Sequence, residues 1–196
     1  MQSNILFLNG FVPLVALSLD LYNGQLGANP PEAIIRTTGV LSIIFLVLTL
    51  FVTPLVRGLK LNWALPHRRN LGLWSFYYAC IHLIAYIAFD KSGKLDDVIA
   101  DIVKRPFILV GFMGFLLMIP LAATSNTFSL KKLGIKKWNL LHKATYLISI
   151  AAAIHFTMIV KSDYFYPTLF SVAIAILMLW RVRFQIAKRR NLHLKH

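Results

Sequence analysis

The chain has 196 residues, 58% of them hydrophobic and only 14% charged; that length fits one domain, and that balance excludes an ordinary soluble one, where about 25% of residues are charged. The formal net charge of +14 would suggest a nucleic-acid partner in a soluble protein, but its placement along the chain points to a membrane and excludes that reading. The single cysteine, Cys80, excludes an intramolecular disulfide.

Apolar segments recur at about 4–21, 38–56, 70–89, 106–123, 138–160 and 164–182. Each is near the roughly 20 residues that cross about 30 Å of hydrocarbon as a helix. Period-2 alternation is absent, so helices are expected rather than a barrel. The first segment is interrupted by Asn9, Gly10 and Pro13, and no Lys or Arg precedes Arg36. It reads as an uncleaved first helix rather than a signal peptide. The connection over 21–39 contains Pro30-Pro31 and several glycines, and is expected to be an irregular, partly rigid loop.

The third segment carries His82 and Cys80. The connection over 90–106 holds four acids and could carry a short amphipathic turn, with Val98, Ile99, Ile102 and Val103 along the interface. These two long connections offer either a docking surface or plain solvated links. The fifth segment runs past His142 to His155. Trp63, Trp74, Trp138 and Trp180 fall toward one set of helix ends, and Tyr164, Phe165 and Tyr166 toward the other, which reads as interfacial belts.

Charge placement sets the expected orientation. Loops 57–69, 124–137 and 183–196, with Lys143 and Arg181 at helix ends, hold fifteen Lys and Arg and no acid. The opposite loops hold six basic residues, Arg36, Lys91, Lys94, Lys104, Arg105 and Lys161, and all seven acids lie on that side. This is the positive-inside pattern, so both termini are expected in the cytoplasm, with the basic residues against anionic headgroups. The fold class expected is an all-α membrane protein, a six-helix bundle in a single domain over 1–196.

His82 lies eight residues before Asp90, and His155 eight before Asp163. On helices running the same way, both imidazoles then sit about 12 Å inside the outer boundary. Two neutral imidazoles at one depth can hold a haem iron from both sides. The plainer alternative is a pair of histidines hydrogen-bonded between helices.

His142 precedes His155 by 13 residues, about 20 Å lower and about 140° away around a straight helix. The two can share one seam only if that helix is distorted. His142 could be a ligand of a second haem, a quinone or flavin contact, or an interfacial residue. Arg68 precedes His82 by 14 residues and shares its face to within about 40°. Its guanidinium stays protonated and suits a haem propionate, a headgroup or another anion rather than iron. His67 reads as interfacial, and His193 and His196 as part of a solvated tail. No GxGxxG, P-loop, CxxC or HExxH motif occurs, and there is no intramembrane carboxylate pair.

Four stretches together carry a family resemblance: RRNLGLWSFYYACIHLIAY around His82, NGQLGANPPEAI in the first long connection, TSNTFSLKKLGIKKWNLLHKATYL through His142, and AAIHF at His155. Over nearly its whole length the chain resembles the MsrQ (formerly YedZ) family, haem-binding membrane subunits within the ferric reductase-like transmembrane group. The resemblance implies six helices, haem b (one, or two) and electron flow from cytoplasm to periplasm across a bacterial inner membrane. Relatives in the wider group place two histidines on the third helix and two on the fifth; here Arg68 stands at the inner position of the third.

The resemblance implies His82 and His155 as axial ligands. The donor it implies is external, a cytosolic flavin reductase or the quinone pool, with FMN or quinone as a further cofactor. The acceptor it implies is a periplasmic molybdopterin-dependent reductase of protein methionine sulfoxide. The chain would then be an electron-transfer subunit, not the catalytic one. A stand-alone ferric or cupric reductase is the nearest alternative, and a small histidine-containing transporter a more distant one.

Overall fold

In the computed structural model, residues 8–193 are described, with side chains through 187. The opening of the first expected span (residues 4–7), the His193 side chain and His196 lie outside that part. Among the described residues the regular elements are all helices: α1 (Val12–Tyr22), α2 (Pro30–Gly58), a short 3-10 turn (Asn62–Ala64), α3 (His67–Ala85, continuing as a π turn over Tyr86–Asp90), α4 (Leu95–Lys104), α5 (Pro106–Ala123), α6 (Thr127–His142), α7 (Ala144–Ile159) and α8 (Phe165–His193). Four stretches are long and apolar enough to cross a membrane: Pro30–Gly58, His67–Asp90, Pro106–Ala123 and Phe165–Ala187.

The loop expected over 21–39 is helical from residue 30 onward, because Pro30 and Pro31 act as helix starters rather than breakers. They occupy the first turn, where a missing N–H costs nothing. Asn29 caps that turn by accepting from the Glu32 amide at 3.4 Å. Asn126 caps α6 in the same way, accepting from the Ser129 amide at 2.7 Å, so the loop expected over 124–137 is also mostly helix. The segment expected to run unbroken over 138–160 divides at Lys143 into α6 and α7. There the Thr145 hydroxyl donates to the His142 carbonyl at 2.9 Å, and the Tyr146 amide donates back to Lys143 with three-residue spacing.

Helix α2 is the axis of the bundle. Its Ile43 and Leu50 meet Ile174 and Leu177 of α8 in one buried cluster, and its Leu46 meets Met118 of α5 and Ile148 of α7 in another. Lipid tails are as apolar as leucine, so close backbone approach and interhelical hydrogen bonds must supply much of the specificity. Helices α2 and α3 use both. The Ser42 hydroxyl donates to the Ser75 carbonyl and the Ser75 hydroxyl to the Ser42 carbonyl, each at 2.9 Å.

Trp74 departs from the interfacial belt expected of it. It is 3% exposed, packed edge-on against Phe11 and close to Phe45, Tyr77 and Tyr78. The Tyr78 hydroxyl donates to the Gly10 carbonyl at 2.8 Å, tying the N-terminal segment to α3. Trp63, by contrast, is 64% exposed.

Candidate functional site: two opposed histidines in an apolar cavity

Helices α3 and α7 bring His82 and His155 together. Their ring centroids are 6.3 Å apart and their planes are turned by 81°. Each ring is fixed by a neighbouring helix in the same manner. His82 Nδ1 lies 2.8 Å from the Ile35 carbonyl of α2, and His155 Nδ1 lies 2.7 Å from the Phe107 carbonyl of α5. A carbonyl oxygen can only accept, so each Nδ1 carries the proton. Each Nε2 therefore keeps its lone pair, the arrangement usual for a metal-bound imidazole.

Glycine makes the approach possible, and it does so twice with the same spacing. Gly39, four residues after Ile35, lies against His82: a Cβ there would stand 3.0 Å from the ring. Gly111, four residues after Phe107, lies against His155, where a Cβ would stand 2.6 Å from Nδ1. One helical turn thus supplies both the carbonyl that takes the Nδ1 proton and the bare surface on which the ring rests.

Both rings line a cavity of about 1020 Å³ between α2, α3, α5 and α7, at the upper end of ligand sites, roughly 300–1,000 Å³. Its deep wall is apolar, with Leu46, Phe115, Met118, Ile148 and Ala152. A bare metal ion needs three or four protein donors, and among the described residues no group of three or more His, Cys, Asp or Glu side chains comes together. Two imidazoles alone suit an iron whose other ligands come from a flat macrocycle. Metal–nitrogen bonds of about 2.0 Å on opposite sides of one iron would put the ring centres roughly 6 Å apart, and the pair matches that. The residues fit a haem.

A profile of the ferric reductase like transmembrane component family matches residues 38–153. The chain is 41% identical over 188 residues to the protein-methionine-sulfoxide reductase heme-binding subunit MsrQ of Herminiimonas arsenicoxydans, covering 95% of this chain and 86% of that one. The chain belongs to the MsrQ family. The subunits of the same name from Brucella ovis and Brucella suis (strain ATCC 23445) are each 42% identical over 178 residues, covering 91% of this chain and 80% of theirs.

The other two expected site residues of this MsrQ chain lie apart from the pair. His142 ends α6, and its Nε2 stands 3.2 Å from the Thr124 hydroxyl. One of its faces is stacked on Trp138 with centroids 3.8 Å apart, and Trp138 Nε1 in turn donates to the Thr124 carbonyl. Helices α6 and α7 meet at Lys143, and α6 is itself kinked at Gly134, whose φ of 73° and ψ of 155° are not helical. Arg68 is part-buried at the start of α3, with His142, Tyr146 and Arg57 as its titratable and charged neighbours. So Arg68 and His142 share one end of the bundle, away from the cavity that holds His82 and His155.

Sequence reasoning missed Gly39, Gly111 and the inward turn of Arg181. Arg181 is only 6% exposed and donates to the Leu50 and Leu177 carbonyls and to the Thr53 hydroxyl. The glycines carried a faint signal, since each sits in a long apolar helix where glycine is otherwise unfavourable.

Proposed function

We propose that the chain is the haem-binding membrane subunit of a methionine sulfoxide reductase system, passing electrons outward across a bacterial inner membrane. The observation that carries this is the His82–His155 pair, with both Nδ1 atoms held by backbone carbonyls and both rings lining one largely apolar cavity. Haem b bound there supplies one-electron redox chemistry. His82 and His155 would hold its iron from two helices, while the apolar wall would limit water and the two carbonyl contacts would keep the rings in place.

In this reading six spans cross the membrane: α1, α2, α3, α5, α7 with the end of α6 from Trp138, and α8, with both termini in the cytoplasm. Arg68 and His142 form the cytoplasmic side of the path, where a cytosolic flavin reductase or a quinol delivers electrons. Flavin or quinone would meet the stacked Trp138–His142 face there, with Arg68 as the nearby cation. The relatives' names point to a protein-methionine-sulfoxide reductase as the acceptor; in this reading it is a periplasmic molybdopterin-dependent enzyme.

The purified protein is expected to show a dithionite-reducible, low-spin bis-imidazole spectrum. His82→Ala and His155→Ala are each expected to abolish it, and His142→Ala to leave the haem-to-protein ratio at that of wild type. A wild-type protein with no such band after expression with ample haem would sink the proposal. Electron delivery to a periplasmic methionine sulfoxide reductase, but not to ferric or cupric chelates, separates it from a stand-alone metal reductase.

A further inference from the structure

The cavity is chemically two-ended. Its deep wall is apolar, while its outer rim receives three cations from three separate parts of the chain: Arg36 of α2, Arg105 at the α4–α5 junction, and Lys161 in the α7–α8 turn. Three acids, Glu32, Asp90 and Asp163, share that rim, but each is engaged by its own segment. Asp163 accepts from the Phe165 amide at 3.1 Å, and Asp90 pairs with Lys91 at 3.0 Å. Glu32 accepts from Asn29 Nδ2 at 3.1 Å and reaches Arg36 only at 3.9 Å.

The cations keep donors to spare. Arg105 gives its Nε to Asp101 at 3.4 Å, and its two terminal nitrogens have no partner among the described residues. Lys161 is exposed and likewise has none among them. Arg36 offers a guanidinium held only by the long Glu32 contact. An occupant of this cavity therefore meets hydrocarbon at one end and unpaired cationic donors at the other. An apolar body with anionic groups along one edge suits both ends.

We propose that Arg36, Arg105 and Lys161 form a carboxylate clamp at the cavity rim that binds the two propionates of the haem and so fixes its orientation, propionate edge outward. The proposal rests on the haem reading above and adds to it which residues pair with the porphyrin's own charges. Carboxylates left among Leu46, Met118 and Ile148 would be buried without partners, so the reversed orientation is strongly disfavoured. At the rim, by contrast, each propionate gains charge-assisted hydrogen bonds.

The test sets the charge of the porphyrin against the charge of the rim. Full-length apoprotein in detergent is titrated with haem b and with its dimethyl ester, which has the same ring and iron but no carboxylates. Wild type is expected to bind the free acid about tenfold or more tighter than the ester, the worth of one charge-assisted hydrogen bond or more. The triple variant Arg36→Gln, Arg105→Gln, Lys161→Gln is expected to lose that preference while keeping the bis-imidazole spectrum, with its midpoint potential shifted downward because cations favour the more negative reduced state.

Lys161→Gln alone sits in an exposed turn, where misfolding is not a concern, and is expected to reduce the preference several-fold. Equal binding of the two porphyrins by wild type, or an undiminished preference in both variants, overturns the clamp. If wild type gives a bis-imidazole spectrum with either porphyrin, the haem reading survives that failure. If it gives one with neither, the haem reading is what has failed.

Discussion

At the residue scale the site depends on two absent side chains as much as on two present ones. Gly39 and Gly111 let an imidazole rest on a helix backbone, and the clearances rank the consequences of filling them. Gly111→Ala places a methyl 2.6 Å from His155 Nδ1, so the ring must leave the Phe107 carbonyl; Gly39→Ala meets His82 at 3.0 Å, where a few tenths of an ångström suffice. Gly72, also helical, has only Thr49 at 3.7 Å, an ordinary contact. Gly111→Ala is expected to lose most of the bound haem, Gly39→Ala to lose less, and Gly72→Ala to keep it all while gaining about 0.5–1 kcal/mol of helix stability. Haem content and thermal melts of the three variants check the order; equal haem loss at Gly72 would show that the effect is general. His82 and His155 could be paired from sequence because counting residues from Asp90 and Asp163 gives depth. Their carbonyl and glycine partners could not, because those depend on how far α2 slides along α3 and α5 along α7.

At the scale of elements, α4 is the one helix among the described residues with ion pairs to another element. Asp101 accepts from the Tyr86 hydroxyl at 2.8 Å, pairs with Lys91 at 2.6 Å and Arg105 at 3.4 Å, and so ties α4 to the π turn that follows His82. The hydrogen bond from Lys91 is the main influence holding the Asp101 carboxyl below the usual carboxylate range. The Asp101 and Asp90 carboxylates, in that order, hold Lys91 above the usual lysine range. A depressed carboxyl stabilises the folded state above its unfolded value, about 3.9, and loses that contribution as pH falls through the lower folded value. A raised lysine contributes fully below about 10.4 and loses its part as pH rises through its higher folded value. The clamp on α4 is therefore at full strength between roughly pH 4 and 10. A spin label on Ile99→Cys, in a Cys80→Ser background, is expected to be immobile at pH 7 and to gain mobility only as pH falls below the ordinary carboxylate range. Asp101→Asn should make it mobile at pH 7 as well; a label equally immobile in that variant would show that apolar packing of Val98 alone suffices. The amphipathic character of 90–106 was legible as spacing. That Asp101 faces inward was not, since among several acids in one short stretch nothing in the pattern marks the one with buried partners.

At the scale of the whole molecule, the basic loops predict which side each end of the bundle faces. A fluorescent-protein fusion at the C-terminus is expected to be bright in the cytoplasm, and alkaline phosphatase inserted between Ser92 and Gly93 to be active outside; the reverse pair would invert the proposed direction of electron flow. The sequence by itself determined the membrane class, the apolar segments and the matched depth of His82 and His155. Each of these follows from composition or from residue counting along one helix, where a fixed rise per residue converts number into distance. Tertiary structure alone decided that Trp74 is core rather than belt, that Arg181 turns inward to the Leu50 carbonyl, and that His82 and His155 each rest on a glycine. It also decided that the cavity has buried apolar lining and an exposed rim of three cations and three acids. Those outcomes depend on the rotation and register of one helix against another, set by packing between residues far apart in the chain, which no periodicity within a single segment records.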